Sequence, residues 1–200
     1  MYINGSIKKY LTDLSAKKPA PGGGSAAALS AAIGVSLMSM VASYTLGNPK
    51  YKKVEARAAD ILKRANNARS KFQKLIDADI EAYDKLSKSA KGAKGQSSRL
   101  ENLYKKAAGV PLEICRTAAD CLKMCEKLAQ IGNKKLVTDT AIAAMLLESA
   151  FFSAKYNVYV NLKYIKDIDY VGKAYKVLTS LEEGIAKLKE EILEKCEDAI

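Results

Sequence analysis

From Pro19 to Asn48 the chain carries no charged residue, and Ala26–Leu46 is apolar or small throughout. A stretch this long must cross a bilayer, be cleaved as a leader, or lie in the centre of a fold. Its composition is mostly Ala, Ser and Gly, with few of the Leu, Ile and Phe that drive membrane insertion. The apolar run also starts too late and runs too long for a signal peptide. A helix apolar on every side is what the middle of a helical bundle needs, so the segment is expected to be a buried core helix. At 200 residues the chain holds one domain comfortably, and residues 1–200 are expected to form a single unit.

Helical periodicity accounts for most of the remaining sequence. Ile7, Tyr10, Leu11 and Leu14 mark a short amphipathic helix. Pro21-Gly22-Gly23-Gly24 breaks it, and Ser25 is the expected N-cap of the core helix. Leu46-Gly47-Asn48-Pro49 ends that helix. A third helix, about 50–88, shows a 3-4 stripe from Val54 through Phe72 to Leu86. Residues 89–98 (SAKGAKGQSS) read as a polar, ligand-covering loop. A fourth helix runs from Arg99 to Gly132, with Pro111 expected to kink or split it. A fifth begins near Thr138 and runs to about Lys163, and a sixth starts near Val171. No alternating strand pattern occurs. The fold class is all-α, a bundle of about six helices.

The residue inventory removes whole reaction classes. There is no histidine, which excludes Ser–His–Asp and Cys–His catalysis and histidine-held metals. Cys115, Cys121, Cys125 and Cys196 form no C-x-x-C pair, so they read as reduced, buried residues of a cytoplasmic protein, with no metal site expected. The net charge of +11 suits an anionic partner, but the lysines are spread along the chain and match no nucleic-acid-binding motif.

Carboxylates and backbone amides are left to carry chemistry. Asp79 stands where the stripe of the third helix calls for an apolar residue. It is either a core aspartate satisfied by a helix N-terminus or buried lysine, or a carboxylate in a cleft whose proton affinity is raised. The glycine run is either a tight connection or a place where backbone N–H groups approach a ligand at a helix start. On the fifth helix Asp139 and Asn157 face the same way, about 27 Å apart along the axis at 1.5 Å per residue. Asn161 lies one turn beyond Asn157. Amides in an otherwise apolar and aromatic helix suggest hydrogen bonds to another helix, a ligand or a second subunit.

Four segments together resemble one family. They are PAPGGGSAAALSAAIGVSLMSMVASYT at 19–45, DIEAY at 79–83, YKKAAGVPL at 104–112 and GNKKLVTDTAIAAMLLESAFFSAKYNVYVNL at 132–162. The resemblance is to the cyclodeaminase/cyclohydrolase family, which comprises the C-terminal domain of formiminotransferase-cyclodeaminase and free-standing methenyltetrahydrofolate cyclohydrolases. P-x-P-G-G-G-S-x-x-A is its most specific element.

The resemblance implies an oligomeric, all-helical enzyme, a homodimer or larger, acting on one-carbon tetrahydrofolate derivatives without a metal or other cofactor. The expected reaction is hydrolysis of 5,10-methenyltetrahydrofolate to 10-formyltetrahydrofolate. The alternative is release of ammonia from 5-formiminotetrahydrofolate. Asp79 is expected to act as base or cation stabiliser, with Asp139 a second carboxylate supplied in cis or by a partner subunit. Pro21, Gly22, Gly23, Gly24, Ser25, Tyr83, Asn157 and Asn161 are the expected substrate-binding residues, and the lysines suit a polyglutamate tail. No membrane association is expected. A non-catalytic interaction module and a nucleic-acid-binding bundle are the readings from other classes.

Overall fold

The computed structural model of the chain describes residues 1–90 and 97–200. Six α-helices account for most of it: α1 (Ile7–Ser15), α2 (Gly23–Thr45), α3 (Glu55–Ala90), α4 (Ser97–Ile131), α5 (Val137–Leu162) and α6 (Ile168–Glu197). No strand occurs among the described residues. α2 lies between α3 and α5 and also touches α4, while α6 packs against α4 and α5. Ala28, Ala31, Val35, Met38, Val41 and Ala42 of α2 are fully excluded from water. Small side chains let neighbouring helices approach this one closely, and Phe72, Leu122, Leu147 and Phe151 fill the space around it.

Several boundaries differ from expectation. α2 begins at Gly23 with Gly22 as its cap residue, so Ser25 lies inside the helix and is not the N-cap. Gly47 has φ +68°, a conformation that glycine adopts without a Cβ penalty, and it turns the chain out of α2 as expected. Residues 49–54 form a 3-10 turn before α3 begins. α4 runs unbroken through Pro111. α6 starts three residues early because the Asp167 side chain accepts from the Tyr170 N–H and caps it. Tyr10 of the α1 stripe is buried as expected and Leu14 packs on the core, but Ile7 and Leu11 are 73% and 54% exposed and Asp13 is buried instead. The expected covering loop falls chiefly on residues 91–96, outside the described residues, while α3 and α4 extend to its edges.

Two helical stretches, 23–45 and 134–162, are long and apolar enough to cross a membrane, although the sequence analysis identified only the first. In the bundle most of the first is buried. The second leaves Ile142, Met145, Tyr156 and Val160 exposed.

Candidate active site

α2 opens on glycine, so its first N–H groups have no side-chain cap of their own. Asp79, from the middle of α3, places its carboxylate against this helix start, where the Ser25 N–H favours its charged form. The two helices meet very closely here. A Cβ on Gly24 would lie 2.1 Å from Asp79 Oδ1 and 2.5 Å from Cγ. Glycine is therefore required at position 24 because the carboxylate occupies the space a side chain would need.

On the open side of this contact is a cleft of about 340 Å³. Its walls are Pro19, Ala20, Gly22 and Gly23 at the start of α2, one face of α3 between Asp79 and Leu86, Tyr104 and Ala107 of α4, Asn157, Val160 and Asn161 of α5, and Tyr164 just beyond. That volume is within the usual range for small-molecule sites, and the lining is mainly apolar and aromatic, as such sites are. Among the described lining residues Asp79 is the one carboxylate, and none is a lysine or arginine. Desolvation pushes its carboxyl up to about 6, against the opposing hydrogen bond from Ser25. The carboxylate thus exchanges protons close to neutral pH.

The expected binding residues divide into three groups. Gly22, Gly23, Tyr83, Asn157 and Asn161 line the cleft together with Asp79. Pro21, Gly24 and Ser25 do not; Gly24 is filled by the carboxylate, and the Ser25 hydroxyl turns inward to the Gly22 carbonyl and the Tyr10 hydroxyl. Asp139 is in the first turn of α5, 18 residues before Asn157 and about 27 Å from it along the helix. One chain therefore does not bring Asp139 and Asp79 into one site.

Both asparagines use their amide N–H groups on backbone carbonyls. Asn157 donates to Ser153 O (2.9 Å), and Asn161 donates to Asn157 O (2.8 Å) and, across to α4, to Ala107 O (3.4 Å).

The sequence analysis did not single out Tyr104 and Tyr164, whose rings stack with centroids 4.6 Å apart at 17°. A signal for Tyr164 existed, because 157, 160, 161 and 164 follow helical spacing, but α5 ends at Leu162 and the pattern continues past it. Tyr104 had no such marker. Among the described residues no three Cys, Asp or Glu side chains converge as metal ligands would.

The formiminotransferase-cyclodeaminase family model matches residues 6–180. The methenyltetrahydrofolate cyclohydrolase of Methylorubrum extorquens is 33% identical over 96% of this chain and 95% of its own length. The formimidoyltransferase-cyclodeaminase of Rattus norvegicus is 30% identical over 90% of the chain, which spans about a third (34%) of that longer protein. The crystal structure of the formiminotetrahydrofolate cyclodeaminase of Thermotoga maritima superposes with a TM-score of 0.93 at 32% identity, over 99% of this chain and 98% of that one. With a family match across most of its length, a full-length relative and a shared fold, this chain belongs to the formiminotransferase-cyclodeaminase family.

Proposed function

We propose that this chain hydrolyses 5,10-methenyltetrahydrofolate to 10-formyltetrahydrofolate in the cleft at the start of α2. The observation that carries this reading is the Asp79 carboxylate, withdrawn from water beside a cleft with no cationic residue in its described lining. An anion in such a wall is costly unless something positive joins it. The methenyl substrate is an amidinium-like cation, and it supplies the charge that the lining lacks.

Asp79 then serves as general base. The water oxygen bonds to the methenyl carbon while one water proton passes to the Asp79 carboxylate. The neutral carbinolamine collapses as its N5–carbon bond breaks and the electron pair goes to N5, which takes the proton back from Asp79. The remaining hydroxyl proton leaves to solvent, so the formyl group stays on N10 and one proton is released overall. The step needs only substrate, water and the carboxylate. The amides of Gly22 and Gly23 and the side-chain oxygens of Asn157 and Asn161 would bind polar edges of the folate. Tyr83, Tyr104 and Tyr164 would pack against its rings, with lysines beyond the cleft meeting a glutamate tail.

A second reading has its own support, since the structural relative at TM-score 0.93 is a formiminotetrahydrofolate cyclodeaminase. In that reaction Asp79 would act in its protonated form on the departing nitrogen. Purified protein supplied separately with each substrate separates the two. Loss of methenyl absorbance faster than in buffer, with no turnover of the formimino compound, supports hydrolysis. Appearance of methenyl from the formimino compound supports deamination. No change with either overturns both.

The active form is proposed to be a homodimer. Ile33 and Tyr44 of α2 and Ile142, Met145 and Tyr156 of α5 are exposed apolar side chains on two helices packed against each other. A second copy covering that face is the route by which Asp139 would reach a partner's cleft. The four unpaired thiols suit a reducing compartment, and the cytoplasm is the proposed location.

A further inference from the structure

Behind the cleft, α1 reaches the turn that holds Asp79 through one buried hydrogen bond. Tyr10 is 5% exposed, and its ring sits edge-on to Tyr2 with centroids 5.5 Å apart. Its hydroxyl lies 3.0 Å from Ser25 Oγ. The Ser25 hydroxyl donates its own hydrogen to Gly22 O at 2.9 Å, so the phenol must be the donor to Ser25. The bonds run in one direction, from Tyr10 O–H to Ser25 O–H to the Gly22 carbonyl. The backbone of Gly24 and this same Ser25 faces the Asp79 carboxylate, which fills the space beside Gly24, and the Ser25 N–H favours its charged form.

Tyr10 does not line the cleft. A phenylalanine would fill the same core position without a hydroxyl to satisfy, so packing alone does not explain the phenol. α1 is itself fastened to the cleft wall. Asp13 accepts from Lys9, from Tyr2 and from Lys18, and Lys18 immediately precedes the lining residues Pro19 and Ala20.

We propose that Tyr10 is a positioning residue for Asp79, its hydroxyl fixing Ser25 and with it the amide that holds the carboxylate against the cleft. The proposal rests on the reading of Asp79 as the base. The titratable groups sharing the lining with Asp79 are Tyr83 on its own helix, Tyr104 on α4 and Tyr164 beyond α5, and Tyr10 stands behind the turn on α1. None of these is a cation. Among the described lining residues nothing compensates if the Ser25 amide drifts, and a carboxylate that loses this dipole holds its proton more tightly.

The test uses the full chain as Tyr10→Phe, Ser25→Ala and the double variant. Carbon-13 NMR of labelled aspartate carboxyls follows the Asp79 titration, with the signal assigned by Asp79→Asn. The pH dependence of kcat and KM on methenyltetrahydrofolate is measured alongside. In Tyr10→Phe the Asp79 midpoint is expected to move up by about 0.5 pH. Its kcat is expected to fall about tenfold with little change in KM. The double variant should lose no more than Ser25→Ala alone, because both changes break the same connection.

An unmoved midpoint with wild-type kcat overturns the proposal, as do losses that multiply in the double variant. If the wild-type chain turns over no methenyl substrate, the hydrolase reading falls. The NMR midpoint then decides the coupling by itself, an upward shift upholding it and an unchanged one overturning it. Should Tyr10→Phe melt below the assay temperature, Ser25→Ala breaks the bond from its other end and is judged by the same midpoint.

Discussion

Asp13 and Asp79 are both drawn out of water beside the loop at residues 18–25, yet the fold treats them in opposite ways. Asp13, on α1, is 5% exposed and receives hydrogen bonds from Lys18, Lys9 and Tyr2. Those partners, Lys18 first, hold its carboxyl well below the usual carboxylate range. Asp79, on α3, faces the Ser25 N–H and stands in a cleft without a cation in its described lining, and burial raises it to about 6. Withdrawal from water alone does not make a carboxylate reactive. The supply of positive charge decides, and at Asp79 that supply is left to the substrate.

The two residues also contribute to stability with opposite pH dependence. Asp13 is depressed in the folded state, so its contribution is present above its unfolded value near 3.8 and is lost as pH falls below it. Asp79 is raised in the folded state, so folding takes up a proton between about 3.8 and 6. It opposes the fold above about 6, and that cost shrinks as pH falls from about 6 and is gone below about 3.8.

Replacing Asp79 by Asn should produce the largest contrast. Turnover is expected to fall by roughly 10²–10⁴, the usual contribution of a general base. At pH 8 the same variant should be more stable by about 3 kcal/mol, following the upward displacement from 3.8 to about 6, and the gain should vanish near pH 4. Urea unfolding at the two pH values checks the second half. A variant with wild-type turnover would remove Asp79 from the chemistry, and one less stable at pH 8 would contradict the cost of its burial.

Next comes Gly24→Ala, which pushes a methyl group into the carboxylate. It is expected to cost about 1–3 kcal/mol through overpacking and to lower turnover at least tenfold. Gly22→Ala is its control, because a Cβ there meets nothing within 4 Å, and it should cost less than about 1 kcal/mol. Equal effects at the two positions would show that the loop needs glycine for its backbone and not for the approach of Asp79.

The smallest effect is expected from Asp13→Asn. The melting temperature should drop by about 2–5 °C at pH 7. The steepening of stability loss below pH 4 should weaken, while the Asp79 titration stays in place. Thermal melts across pH 3–8 measure the first two, and NMR the last. A moved Asp79 midpoint would mean that the two carboxylates are not independent.

Much of this was legible before any coordinates. The six helices follow from a 3.6-residue period that is local to each segment, and the core position of α2 follows from its lack of charge. Asp79 was visible because it breaks a stripe that Phe72 and Leu86 otherwise keep. α1 is legible only in part, because Tyr10 of its stripe is buried as expected while Ile7 and Leu11, which satisfy the same period, face solvent and Asp13 faces inward. Its burial is decided by polar partners, which hydrophobic periodicity does not register. Ser25 looks like an N-cap because its side chain suits that role, but its hydroxyl turns inward to Gly22 O and the Tyr10 hydroxyl.

The sequence by itself determined an all-helical chain, the identity of its buried central helix, and a carboxylate at position 79 in a protein without histidine. Only the tertiary structure decided that Asp79 meets an amide where Asp13 meets two lysines, that Gly24 yields its side-chain space to the carboxylate, and that Asp139 lies outside the cleft of its own chain. The physical reason is range. Helix formation and amphipathic burial are set by residues three and four apart, whereas the proton affinity of a carboxylate is set by whichever dipoles, charges and solvent lie within a few ångströms of it, and those arrive from helices far apart in the chain.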